Sequence, residues 1–124
     1  MAERRHQVEL TGSFIARLES IELFLTEAGA PLAYDALLAG LRTTVVPNLS
    51  RFPLMGRRYI DQPPQSVEAL EQLAKLPAGA IDRLRVYLHG DYLILYAAME
   101  EVVYLLSIRH HRQLSFDFAG LWPT

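Results

Sequence analysis

The apolar positions change period along the chain, and each change marks an element. Val8 and Leu10 alternate with Gln7 and Glu9, which predicts a short strand. Phe14, Leu18, Ile21 and Leu25 then recur at spacings of four, three and four, one face of a helix. Thr11 stands where its hydroxyl can accept from an orphan N–H of the first turn. Gly29 suits the position after the last turn. Pro31 fits the opening of a second helix, whose apolar face is Tyr34, Leu37, Leu38, Leu41 and Val45. Pro47 is expected to end that helix or to fall close to its end, because proline lacks a donor and clashes with the preceding turn. A connection of about three residues makes the two helices an antiparallel hairpin.

Asn48 to Ser66 is broken by Pro53, Gly56, Pro63 and Pro64, a long connection of the kind that carries function. Val67, Leu70, Leu73 and Ala74 predict a short helix capped by Ser66 and closed by Pro77 and Gly79. From Leu84 the period falls to two. Leu84, Val86 and Leu88 alternate with Arg83, Arg85, Tyr87 and His89, which predicts a strand with its apolar side on the helices and its polar side open. Gly90–Asp91 makes a turn. Tyr92 to Ala97 is continuously apolar and reads as a central strand. Met99 to Glu101 turns the chain again, and Val102 to Ile108 is a third strand. Leu114 to Phe118 adds an extended segment. The closing Phe116, Phe118, Leu121 and Trp122 either pack back on the core or meet a partner. The order defines an α+β fold: an N-terminal strand, an antiparallel helical hairpin, then a C-terminal antiparallel β-meander. It is expected to be a single domain over residues 1–124, with an inserted loop and short helix at about 59–80.

Composition narrows the classes. A length of 124 residues suits one domain with a real core, and a hydrophobic content of 51% argues against disorder. There are no cysteines, so disulfides and thiolate metal sites are excluded, and a reducing cytoplasm fits. No apolar run reaches the roughly 18–20 residues of a membrane span. No apolar segment follows the basic start Met1–His6, so no signal peptide is expected. A net charge of −2 is not that of a protein that coats nucleic acid. The charge is uneven, however. Arg51, Arg57 and Arg58 cluster in the loop, Arg109 and Arg112 flank two histidines, and the acids Glu19, Glu22, Glu27, Glu68 and Glu71 fall on helices.

Three stretches resemble the RelE/ParE toxin superfamily of bacterial type II toxin–antitoxin modules. Phe52-Pro53-Leu54-Met55-Gly56-Arg57 is similar to that family's F-P-x-x-G-R loop after the hairpin. Leu84-Arg85-Val86-Tyr87 with Tyr92-Leu93-Ile94-Leu95-Tyr96 is similar to its R-x-Y and Y-x-I-x-Y strand pair. Val103 to Arg112 is similar to its V-x-I-L-x-I-x-H-x-R ending. The resemblance spans roughly residues 7 to 112, and its specificity lies in the order and spacing of the motifs. It implies a small cytoplasmic toxin that arrests growth and is neutralised by a cognate antitoxin in a hetero-oligomer. One branch of the family cuts messenger RNA on the ribosome without a metal. The other inhibits DNA gyrase by binding. The near-neutral charge, the long hairpin and a single lysine, Lys75, favour the gyrase branch. A module that keeps only protein interaction is a third reading.

Metal-free RNA cleavage would need proton transfer, for which histidine is suited, and a planar cation for the phosphorane, for which arginine is suited. The candidates for that chemistry are Arg85, Arg109, His110 and Arg112. His110 and Arg112 stand at the family's motif histidine and arginine. Arg57, Arg58, Tyr87 and His111 are candidates for holding target or phosphate, and Phe116, Phe118 and Trp122 for holding the antitoxin. Alternation places Arg85, Tyr87, Arg109 and His111 on the open face, and Tyr104, Leu106 and Ile108 on the other. Structural alternatives stand beside these roles. His110 can bond a backbone carbonyl, Tyr87 and Tyr96 can serve packing, and His111 can be simply solvated. Arg109 and Arg112 can pair with Glu100, Glu101 or Asp117 for about 0–1 kcal/mol. Adjacent histidines on a strand point to opposite faces, and no HExxH, phosphate-cradling glycine loop or serine elbow is present. No metal or cofactor is expected.

Overall fold

In the computed structural model, residues 5–59 and 81–110 are described. Thr11 joins the first strand, the first helix and the last strand. Strand β1 (Gln7–Leu10) ends at it and helix α1 (Gly12–Glu27) begins after it. The Thr11 hydroxyl accepts from the Phe14 amide at 3.3 Å and donates to the Leu105 carbonyl at 2.9 Å. One buried side chain thus caps the helix and ties it to the sheet. Phe14 and Leu18 are buried, with Ile21 packed beside them, as the helical spacing predicts. Gly29, at φ 77°, takes the left-handed conformation that ends α1. Helix α2 (Pro31–Gly40) then starts with its proline in the first turn.

Pro47 falls close to the end of the second helical rod, which closes at Arg51. The rod continues through a wide π-turn (Leu41–Val45) into helix α3 (Val46–Arg51). The Val46 amide donates to the Leu41 carbonyl, five residues back. Widening the turn directly before Pro47 makes room for a ring that a regular turn would push against a carbonyl. The apolar face stays in phase across the bulge: Leu37, Leu41, Val45 and Leu49 are all buried.

Among the described residues the sheet has five strands, in the order β1-β5-β4-β3-β2. Strand β2 is only Arg57–Arg58. A short 3-10 turn (Ile81–Arg83) precedes β3 (Leu84–His89), β4 (Tyr92–Ala98) and β5 (Val102–His110). β1 runs parallel to β5, and the remaining neighbours are antiparallel. β4 lies at the centre, as its unbroken apolar run predicts. The predicted helix at residues 67–76 and extended segment at 114–118 lie outside the described residues.

The two faces of the meander are assigned differently from the sequence expectation. Ile94, Tyr96, Ala98, Val103, Leu105 and Ile108 join the helix residues in one core, and Tyr87 packs against it. Leu84, Leu95, Ala97 and Leu106 form a second cluster with Val86, Leu93 and Tyr104. Cross-strand partners share a face. Leu84 pairs with Ala97 and Val86 with Leu95, so these apolar residues look away from the helices, while Arg85 and Tyr87 look toward them. The cause is that both faces are covered. Alternation then separates two sets without saying which set meets the helices.

A β-bulge makes a second change. Leu95 pairs with Ser107, but Tyr96 pairs with Leu105, so Leu106 is the extra residue. Beyond it the alternation of β5 is inverted. Ile108 and His110 turn to the helix face, and Ser107 and Arg109 to the face away from it. Arg109 therefore does not share a face with Arg85, and Ile108 does not share one with Tyr104 and Leu106.

Candidate functional site

The loop after α3 is held from below. Its Gly56 amide donates to the Tyr96 hydroxyl at 2.9 Å, and that hydroxyl donates to the Pro53 carbonyl at 2.8 Å. Arg85 reaches the same loop, with Nη1 at 2.7 Å from the Gly56 carbonyl and 3.1 Å from the Leu54 carbonyl. A Cβ on Gly56 would sit 2.6 Å from the Tyr96 hydroxyl oxygen and 2.7 Å from the Val86 carbonyl oxygen. Only glycine lets the loop lie this close to the sheet. Burial raises the Tyr96 phenol pKa, while the Gly56 hydrogen bond and Arg85 act in the opposite direction. Arg85, a catalytic candidate from the sequence, is a fastener of the loop here. Tyr87 is placed similarly: its hydroxyl accepts from the Asn48 side-chain amide of α3 at 3.1 Å.

The other candidates lie apart. Arg57 shares a face with Val86, away from the helices, and Arg58 shares one with Arg85; both are exposed. Arg109 is partly buried beside Leu93, and its Nη1 lies 3.4 Å from the His110 carbonyl. Burial lowers the Arg109 pKa, and Tyr59 raises it. Tyr59 is itself raised by burial and lowered by Arg109. His110 turns to the helix side, where its ring meets Tyr92 edge-on at 5.6 Å. Arg112, His111, Phe116, Phe118 and Trp122 lie outside the described residues. Arg85, Arg109 and His110 thus form no single constellation. Among the described residues no group of three or more histidines, aspartates or glutamates could hold a metal ion.

His110 belongs instead to a groove of about 820 Å³ between the hairpin and the end of the meander. Its apolar lining includes Ile21, Phe24, Leu25, Leu37 and Ile108, and its polar lining includes Arg17, His89, Asp91, Tyr92 and His110. Phe24 is 67% exposed at the rim. Burial, followed by the Asp91 charge, raises the Tyr92 pKa. The lining combines apolar side chains with hydrogen-bonding groups, suited to an amphipathic segment. Sequence reasoning gave no functional role to Tyr92, His89 or Arg17, which stand on three separate elements. Tyr96 was read as packing, and the one available signal was a polar tip inside a continuously apolar strand.

A sheet with a parallel first strand, a helical hairpin on one face and a closing antiparallel meander is the architecture of a RelE/ParE-type toxin. The family model described as the ParE toxin of the type II toxin–antitoxin system, parDE, matches residues 8–115. The chain belongs to this family of toxins, whose members are paired with an antitoxin. No curated protein sequence matches it significantly. Among the described residues no helix is long and apolar enough to cross a membrane.

Proposed function

We propose that this toxin arrests bacterial growth in the cytoplasm by binding DNA gyrase, and that its antitoxin neutralises it by laying an amphipathic segment in the groove lined by Phe24, Leu37 and His110. The observation that carries the binding reading is the dispersal of the nuclease candidates. Arg85 is bonded to loop carbonyls on the helix side, Arg109 is on the opposite face, and His110 is in the groove. General acid–base cleavage needs such groups within hydrogen-bond reach of one phosphate. A binding inhibitor needs only a surface.

The test is induced expression in a bacterial host, with the purified chain added to a gyrase supercoiling assay. The binding reading expects arrested growth, blocked supercoiling and uncut messenger RNA. Messenger cuts that disappear in a His110→Ala variant would establish the endoribonuclease branch instead. Normal growth after induction would reduce the chain to an interaction module. For the groove, Phe24→Asp should weaken binding of the antitoxin by at least about tenfold; unchanged binding would place the antitoxin elsewhere.

A further inference from the structure

Between Asp35 and Asp61 the chain carries Arg42, Arg51, Arg57 and Arg58 and no acidic residue. The same stretch exposes large apolar side chains at its tip: Phe52 is 52% exposed, Leu54 63% and Met55 49%. These three are consecutive apart from Pro53, and Arg57 and Arg58 follow after Gly56. The Arg51 guanidinium lies 5.6 Å from the Phe52 ring centre, an arrangement that steadies the ring. Beneath the tip, Tyr96 and Arg85 fix the backbone through the Pro53, Leu54 and Gly56 carbonyls and the Gly56 amide. A buried tyrosine hydroxyl and the Nη1 of one arginine thus fix a loop whose apolar side chains stand out in water. Such pre-ordering serves binding, because a partner then meets anchors whose backbone freedom is already lost.

We propose that this knuckle, residues 52–58, docks an acidic protein surface with an apolar depression, and that it is the face through which the toxin engages its target. As a target face it rests on the binding reading above. Leu54 and Met55 are the anchors, and Arg57 and Arg58 supply the complementary charge. The residues lining the antitoxin groove lie elsewhere, on α1, α2, the β3–β4 turn and its flanks, and the end of β5, so the two surfaces are separable by mutation. The chemistry favours protein over nucleic acid. The tip presents two aliphatic side chains and one aromatic, whereas single-stranded nucleic acid is held on stacked aromatic platforms in a basic channel. A second copy meeting the same face would bring arginine against arginine.

Two double variants test this: Leu54→Ser/Met55→Ser and Arg57→Glu/Arg58→Glu. All four side chains are exposed, so melting temperature should stay near the wild-type value. Growth arrest and gyrase inhibition should both weaken by at least about tenfold in each variant. If the wild type inhibits gyrase and both variants inhibit it equally well, the knuckle is not the target face, and the gyrase reading survives. If the wild type arrests growth without inhibiting gyrase, and the variants lose the arrest, the gyrase reading fails and the knuckle stands with another protein target. If the wild type binds a single-stranded RNA oligonucleotide, and the Arg57→Glu/Arg58→Glu variant loses that binding together with growth arrest, the occupant is nucleic acid and the proposal is overturned.

Discussion

Gly56→Ala puts a methyl group 2.6 Å from the Tyr96 hydroxyl oxygen, 2.7 Å from the Val86 carbonyl oxygen and 2.8 Å from a Tyr96 ring carbon. One obstacle is backbone of a central strand pair and the other is a fully buried side chain, so neither can swing aside. Overpacking of this kind costs about 1–3 kcal/mol. Moving the loop outward instead breaks the Gly56–Tyr96–Pro53 hydrogen-bond chain and leaves the phenol buried without partners, also about 1–3 kcal/mol. Either route gives a loss of about 1–3 kcal/mol, at about 4 °C in melting temperature for each kcal/mol in a chain of this size. Urea denaturation of the purified protein measures it. The double-mutant cycle with Tyr96→Phe is the sharper readout. Phenylalanine removes the nearest obstacle, so the double variant should cost less than the sum of the single losses by about 1 kcal/mol or more. Additive losses, or a Gly56→Ala protein that melts within about 2 °C of wild type, would show that the loop is not fastened in this way.

Arg85→Lys should lower stability by about 1–2 kcal/mol, because an ammonium on a shorter reach replaces a guanidinium bonded to two carbonyls. Toxicity should fall only in step with the folded fraction, and abolished activity in a fully folded Arg85→Lys protein would return Arg85 to the catalytic set. Thr11→Val should cost about 1–2 kcal/mol by removing the α1 cap and the bond to Leu105; a calorimetric difference below about 0.5 kcal/mol would contradict the cap's role. Tyr34, Tyr59, Tyr92 and Tyr96 all have raised phenol pKa values, with burial the first cause. The unfolded chain therefore gives up these protons first, and their contribution is fully present below about pH 10 and lost as pH climbs through the raised values. Urea midpoints above pH 10 should fall with pH, less steeply in Tyr96→Phe, and midpoints that hold constant would refute the linkage.

The elements were legible because their periodicities are long and their punctuation local. The hairpin follows from Phe14, Leu18 and Ile21 on one side and Leu37, Leu41 and Val45 on the other, with Gly29 and Pro31 between them. The meander follows from Gly90–Asp91 and from Met99–Glu101. Pro47 marks the neighbourhood of the helix end at Arg51 but not the π-turn before it, because a π-turn is a property of backbone geometry that residue types do not announce. The faces of β3 were misassigned because amphipathic tyrosines look polar in an alternation but bury their rings. Tyr87 and Tyr96 lie against the helices and spend their hydroxyls on Asn48 and Pro53. The clamp itself could not be read in advance, since Arg85 and Gly56 are 29 positions apart and meet only through β2–β3 pairing.

The bulge at Leu106 decides which chemistry the closing motif can perform. In an unbroken strand, Val103, Leu105, Ser107 and Arg109 would share one face. Val103 and Leu105 lie on the helix side, so Arg109 would join Arg85 there, with His110 on the other face. One extra residue reverses this order. It sends Arg109 to the face opposite Arg85 and brings His110 round to Tyr92 at the groove. A motif match in sequence counts residues and cannot register the inversion, so the V-x-I-L-x-I-x-H-x-R similarity is compatible with either arrangement. In this chain the motif's histidine faces the hairpin, on the surface suited to a partner's segment, while the exposed pair Arg57 and Arg58 stands at the sheet's far edge. If the groove takes the antitoxin and the knuckle takes the target, as proposed, the masked surface and the acting surface are separate. Masking need not cover the acting residues, provided that the bulk of the bound segment keeps the target from approaching the knuckle.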